Sequence, residues 1–366
     1  MRRSFLLVLA LLAACGADEA EPATVTERST ADAPIPASSI GVPDRSTAEV
    51  ALGDVHFDTF DGGSIPLSEA DDETILDLVD RIIPLTDPPT VGVDEFDLIG
   101  DDELVLAYIG EDGTATAWPH RILNFHEIVN IVVDGRPVLI SYCPLCGSGV
   151  VFDRTVDGEV LSFGNTSALY ENDMVMFDRQ TSSYWWQVAG RAIVGERTGQ
   201  ELEVLPSSTV TWEAFRTAHP DALVLSEEVG RRGRYDRDPF TGYADRLDAG
   251  NVPFPTSEEA FADGRLPPGA LTIAVELDDR IVAVPVEGGA AIVELGSDAH
   301  VVIGADGSAV AVRSPDGPPR LSGDRALTQS GAPIAPTGRP LEVLPSISSL
   351  WFAVVASQPD VELVLP

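Results

Sequence analysis

Lysine is absent from this chain of 366 residues, so all 23 basic residues are arginine. That excludes Schiff-base and other lysine-dependent chemistry within the chain. Basic charge is scarce altogether: 59 acidic residues give a formal net charge of −36, a poor match for nucleic acid or anionic lipid headgroups. No apolar run is long enough to cross a bilayer, the one from Phe5 to Leu12 included. There is no phosphate-binding glycine loop and no serine elbow. The acidic cluster Asp71-Asp72-Glu73 lacks the alternating ligands of a calcium loop and reads as an exposed helix start. Cysteine occurs three times, at Cys15, Cys143 and Cys146.

The first of these belongs to the N-terminus. Arg2-Arg3, a short apolar run and small residues leading into Leu12-Ala13-Ala14-Cys15 read as a signal peptide over residues 1–14. The segment resembles a bacterial lipobox, which implies cleavage before Cys15 and lipid attachment to its sulfur. The expected protein is an exported lipoprotein, periplasmic or on the cell surface, held to the membrane through Cys15. Its mature chain has 21 basic residues and a net charge of −38. Residues 15–50 are mostly Ala, Glu, Thr, Pro and Ser, cannot bury a core and should form a tether.

The remainder contains a repeat. Gly199-Gln-Glu-Leu-Glu-Val-Leu-Pro-Ser207 with Trp212 and Pro220 recurs as Gly338-Arg-Pro-Leu-Glu-Val-Leu-Pro-Ser346 with Trp351 and Pro359, offset throughout by 139. Further upstream, Val138-Leu-Ile-Ser141 matches Val301-Val-Ile-Gly304 at an offset of 163, and Gly147-Ser-Gly-Val-Val151 matches Gly307-Ser-Ala-Val-Ala311 at 160. Fixed-offset similarity of this kind marks a duplicated unit. We assign a first copy to residues 51–230, a connector to 231–260 and a shortened second copy to 261–366. The second copy lacks two stretches of the first: the cysteine knuckle, replaced by an Asp306-Gly307 turn, and a segment equivalent to about Ser167–Gln187. Short alternating apolar runs, such as Val132 to Ile140 and His300 to Val312, predict a mainly β fold with a few short helices, α+β being the variant, as a duplicated sandwich-like or barrel-like unit. Helices are expected over Ile122–Val129 and Thr211–Ala218, the latter capped by Thr209 or Thr211.

Cys143-Pro144-Leu145-Cys146-Gly147 lies between two strand-like runs and should form a tight loop. Two thiols at this spacing allow three readings. A disulfide closing so short a loop would contribute only about 2 kcal/mol, which makes an inefficient structural staple. A redox pair uses the spacing better, one thiolate attacking while its neighbour resolves the mixed disulfide. The third reading is a zinc or copper site in which the knuckle supplies two thiolates to a tetrahedral ion.

The strings His126-Glu127, Tyr142-Cys-Pro-Leu-Cys-Gly-Ser148, Val151-Phe-Asp153-Arg154, Met176-Phe-Asp178-Arg179 and Trp185-x-Gln187 resemble a bacterial family known as domain of unknown function 3179. His219-Pro220 and Asp238-Pro239-Phe240 fit the same pattern, and Gly233-Arg234-Tyr235 is a shifted form of the family's Arg-Asp-Tyr. Some members are described as selenoproteins, which implies that selenocysteine can replace a knuckle cysteine and favours redox chemistry. On that reading Cys143 and Cys146 form the redox pair of a thiol-dependent oxidoreductase acting on an unnamed redox partner. His126 would be its proton acceptor, and Arg154 and Arg179 its electrostatic partners. A metal reading would complete the knuckle with His126 and His219. A noncatalytic binding or assembly lipoprotein, with a structural disulfide and a contact patch at Tyr184, Trp185 and Trp186, is the remaining alternative.

Overall fold

The strands follow the alternation of β-branched and aromatic residues, and their pairing repeats at the offsets seen in the sequence. A computed structural model describes residues 42–230, 234–278, 280–286, 288–321 and 341–366. The signal peptide, Cys15 and most of the expected tether lie outside the described residues. Strand outweighs helix, 39% to 14%, and among the described residues no sheet closes into a barrel.

In the first copy, Ile128–Val133, Arg136–Cys143 and Ser148–Asp153 form an antiparallel meander. A separate group joins Leu104–Ile109 to Ala115–Pro119 and to Ser207–Thr211, with Leu223–Leu225 added in parallel. The second copy repeats both parts. Its meander is Ala291–Glu294, Ala299–Ile303 and Ala309–Arg313. Its other group is Leu271–Leu277, Arg280–Pro285 and Ser346–Leu350, with Glu362–Leu363 in parallel.

The two copies are not side by side as separate sheets. Ser346–Leu350 of the second copy pairs with Ser148–Asp153 of the first at Ser348 and Gly149, while Ser207–Thr211 of the first pairs with Ala309–Arg313 of the second at Thr209 and Ala309. Thr209 and Ser348 are equated by the offset of 139, and Gly149 and Ala309 by that of 160. Each nine-stranded sheet therefore joins the meander of one copy to the strand group of the other. The cores cross the same seam: Val302, Val310 and Val312 pack with Trp118 and Val210, and Leu350 and Phe352 pack with Cys143 and Cys146. Fully burying each such side chain contributes roughly 1.5–3 kcal/mol, so neither copy keeps its full core alone. The described residues fall in one compact unit.

A third sheet belongs to the first copy only. Arg191–Val194, Tyr184–Trp186, Asp173–Asp178, Phe163–Tyr170, His56–Asp58 and Ser64–Pro66 are its six strands in order. It contains the segment that the second copy lacks.

Local departures from the sequence reading have physical causes. The helix expected over Ile122–Val129 is one turn, His120–Leu123, after which Glu127 takes a left-handed φ of 58° and Ile128 enters the meander. The β-branched run Ile128, Val129 and Ile131 favours a strand there. The helix Trp212–Ala218 is capped by the Thr211 hydroxyl, which accepts from the Ala214 amide. The last residues of the expected tether are docked: Ala48 bridges Val194, and Glu49 pairs with Arg191. The aromatic contact patch does not exist. Tyr184, Trp185 and Trp186 are all buried, and the Trp185 indole donates to Asp178.

Candidate metal centre

The knuckle is a hairpin end. Cys143 pairs with Ser148 across it, and Pro144, Leu145, Cys146 and Gly147 make the loop. Gly147 has a φ of +58°, and a Cβ there would stand 3.3 Å from the Leu350 side chain, so glycine meets both a backbone and a space requirement. The second copy anchors the loop: the Cys146 carbonyl accepts from the Leu350 amide at 2.7 Å and from the Ser349 hydroxyl at 3.1 Å.

Opposite the knuckle, Glu171 and Asn172 both have left-handed backbones, with φ of 52° and 57°. They form a two-residue turn between paired Tyr170 and Asp173, a geometry suited to the twist of the flanking strands. The turn delivers Asp173 and Met174 to the thiols. The Cys146 thiol donates to Asp173 Oδ1 at 2.7 Å, and the Met174 amide donates to Cys143 Sγ at 3.4 Å. Asp173 Oδ2 is fixed by the Val188 amide at 2.8 Å. Ser148 Oγ lies 3.1 Å from Cys146 Sγ and donates to Gln187 Oε1, and Gln187 Nε2 donates to Ser141 Oγ. Knuckle and inserted sheet, the two features missing from the second copy, thus meet in one cluster.

Cys143, Cys146 and Asp173 each present a ligating atom, all within 4.8 Å of one another and all buried. Both cysteines are free thiols, so the structural disulfide is not present in this arrangement. Burial raises both thiols above the usual range, Cys146 the more strongly, and the neighbouring Asp173 carboxylate adds to the effect. Burial also lifts Asp173 to about 6. Glu127, whose carboxylate accepts from Asn165 Nδ2 at 2.7 Å, is lifted to about 8 by burial, with a further contribution from Asp173. The groups acting on the thiols are thus acidic, the reverse of the electropositive setting that activates a redox thiolate.

The other nominated residues are committed elsewhere. His126 Nδ1 donates to the Ile83 carbonyl at 2.8 Å, so in the neutral ring favoured by burial Nε2 accepts from the Tyr235 hydroxyl at 2.7 Å. Neither nitrogen is left for sulfur. Arg179 pairs with Asp80 at 2.5 Å and lies over the Phe177 ring. Arg154 is buried and donates to the Leu161 carbonyl. His219 lies against Phe215 with the two rings tilted by 41° and lines a different cavity. Asp173 escaped the sequence reading as an individual residue, although the segment holding it stood out as present in one copy and absent from the other.

Two thiols and a carboxylate closed inside a β protein define a buried acidic cluster suited to a cation. The family model described as "Protein of unknown function (DUF3179)" matches residues 80–361, and the chain belongs to that family. No curated protein and no solved structure matches the chain. Among the described residues no helix is long and apolar enough to cross a membrane.

Proposed function

We propose that this is a metalloprotein that binds one thiophilic divalent cation, zinc foremost and copper as the competing ion, through Cys143, Cys146 and Asp173. The observation that carries the reading is the convergence of three buried donors within 4.8 Å, with acidic groups the main neighbouring charges acting on the thiols. Loss of both thiol protons would leave three negative charges in a closed site, and a divalent cation would offset two of them. Two thiolates with one carboxylate suit zinc, and three protein ligands would leave a fourth position for water. The Val188 amide on Asp173 and the Met174 amide on Cys143 are the kind of outer contacts that hold ligands in place. Lipid attachment at Cys15 would place the centre outside the cytoplasm.

Redox use of the same pair is the rival. It would employ Asp173, in place of His126, as the acceptor of the Cys146 proton. What favours the metal is closure: Cys143 and Cys146 are 1% and 0% exposed, so a protein disulfide has no access to either sulfur. Native mass spectrometry and elemental analysis of the detergent-extracted full chain decide between them. The expected result is one zinc per chain, released by acid and absent from the Cys143→Ser and Cys146→Ser proteins. A metal-free chain whose two thiols titrate to a disulfide in redox buffers would replace this reading with the redox one.

A further inference from the structure

Cys143 and Cys146 are 1% and 0% exposed, so any ion or reagent that meets them needs a path through the surrounding wall. Three elements of that wall differ in how they are held. The knuckle and the turn that carries Asp173 both end antiparallel ladders, which part only by breaking backbone hydrogen bonds. The third is the connector, where Tyr243 and Leu247 share a core with both cysteines. Between Val229 and Leu271 the described residues hold no strand, so no ladder secures this side.

The part of the connector over the thiols is a six-residue helix, Tyr243–Asp248. Gly242 before it and Gly250 after it have left-handed backbones, with φ of 67° and 81°, and a Cβ at either would meet nothing within 4 Å. Packing therefore pins neither residue, and glycine reaches other backbone conformations at no steric cost. Among the described residues, two hydrogen bonds tie the helix to the rest of the protein, both through its side chains. Asn172 Nδ2 donates to Tyr243 Oη at 3.1 Å, and the Gly269 amide donates to Asp248 Oδ1 at 2.7 Å.

Packing beneath the helix is incomplete. A cavity of about 320 Å³ lies between connector and knuckle, with Tyr243 and Ala244 in one wall and Tyr142, Pro144 and Gly147 in another. Lifting the helix widens an existing space, whereas opening either ladder would part a close-packed seam.

We propose that Gly242–Gly250 is a lid that opens on its two glycines, latched by the Asn172–Tyr243 hydrogen bond, and that a metal ion or small thiol reagent reaches Cys143 and Cys146 by this route. The lid follows from the walls around the thiols and stands whether the pair holds an ion or cycles as a disulfide. A helix of six residues is not stable alone in water, so the open lid unravels and its amides exchange with solvent.

The test follows two rates on the full chain, kept metal-free with chelator, across low urea concentrations. One is alkylation of each cysteine by iodoacetamide, the other hydrogen exchange of the amides at 243–250, both read by mass spectrometry. Thiols and lid amides should be protected to the same extent, within about 3-fold. Urea should weaken that protection with less than about half the slope of global unfolding. Tyr243→Phe should raise both rates about 10-fold, the equivalent of one buried hydrogen bond. Ile303→Val, in a core the lid does not enter, should lower global stability and leave both rates unchanged. Should Tyr243→Phe fail to fold, Leu247→Val supplies the comparison. Alkylation with the full urea slope of global unfolding, or accelerated by Ile303→Val, overturns the lid. So do thiols that react while the lid amides stay protected, or a latch variant that reacts no faster than wild type. Absence of bound zinc would remove the metal reading and leave these rates as they are, so the two failures are told apart.

Discussion

The Asp173 carboxylate accepts the Cys146 thiol at 2.7 Å, joining the knuckle of one sheet to the turn of another. The contact keeps a buried carboxylate and a buried thiol satisfied, and on the proposed reading the same two atoms would become ligands once the thiol proton is lost. Asp173→Asn preserves the shape and an acceptor for the thiol but removes one negative charge from the site. Its zinc affinity should fall by at least about 100-fold, at the upper end of what changes around metal ligands cause. Competition with a chromophoric chelator measures this, and an unchanged affinity would remove Asp173 from the ligand set.

Glu127 gives the metal-free protein a definite pH dependence. Burial raises its folded value to about 8 from an ordinary 4.5, so between those limits the native state holds a proton that the unfolded chain has released. The Glu127 contribution to stability falls as pH rises through that window and levels off above about 8. Asp173, lifted to about 6, acts in the same direction at lower pH. Glu127→Gln removes the larger contribution. Chemical denaturation in the presence of chelator should show the variant more stable than wild type at pH 9 by at least about 1.4 kcal/mol, the equivalent of one pKa unit. At pH 4 the two should agree closely.

Much of this arrangement was legible in the sequence. The offsets of 139 and 160 recur as the residue pairs that join the copies, and the mainly β pattern follows from alternation that a strand imposes on each side chain. Cys143 and Cys146 were legible because their spacing is local. Asp173 was not, because it lies 27 residues beyond Cys146 and reaches it only through a turn that folds its strand back onto the knuckle. His126 misled for the same reason: a histidine in a matching motif invites a catalytic role, but its two partners, Ile83 and Tyr235, lie 43 residues before it and 109 after it. Strand exchange between the copies was also hidden, since equal repeats pair equally well within a copy or across two.

Gly147 and Ser349 test how the loop is held. Gly147→Ala puts a side chain into a left-handed backbone and against Leu350, and should cost about 1–2 kcal/mol of stability. Ser349→Ala removes one donor to the Cys146 carbonyl and leaves the Leu350 amide. Its stability cost should be about 1 kcal/mol, while zinc affinity falls roughly 10-fold because the carbonyl belongs to a ligand residue. Equilibrium unfolding with and without metal separates the two effects. Equal losses in both states for Ser349→Ala would show a purely structural contact.

Strand exchange makes the second copy indispensable to a site it does not line with any metal donor. Ser346–Leu350 pairs with the knuckle strand, and Leu350 and Phe352 share a core with both cysteines. A chain ending at residue 260 would therefore expose the Gly149 end of one edge of Ser148–Asp153, lose the donors to the Cys146 carbonyl and open that core. It would also leave Ser207–Thr211 paired with Leu104–Ile109 alone, without Ala309–Arg313 on its far side. The truncated chain should show no cooperative unfolding transition and bind no zinc, whereas co-expression with residues 261–366 should restore both. Two copies that folded as separate domains would behave differently: the truncated chain would melt cooperatively and keep its metal. Calorimetry on the two preparations, with metal content measured on the same samples, distinguishes the outcomes.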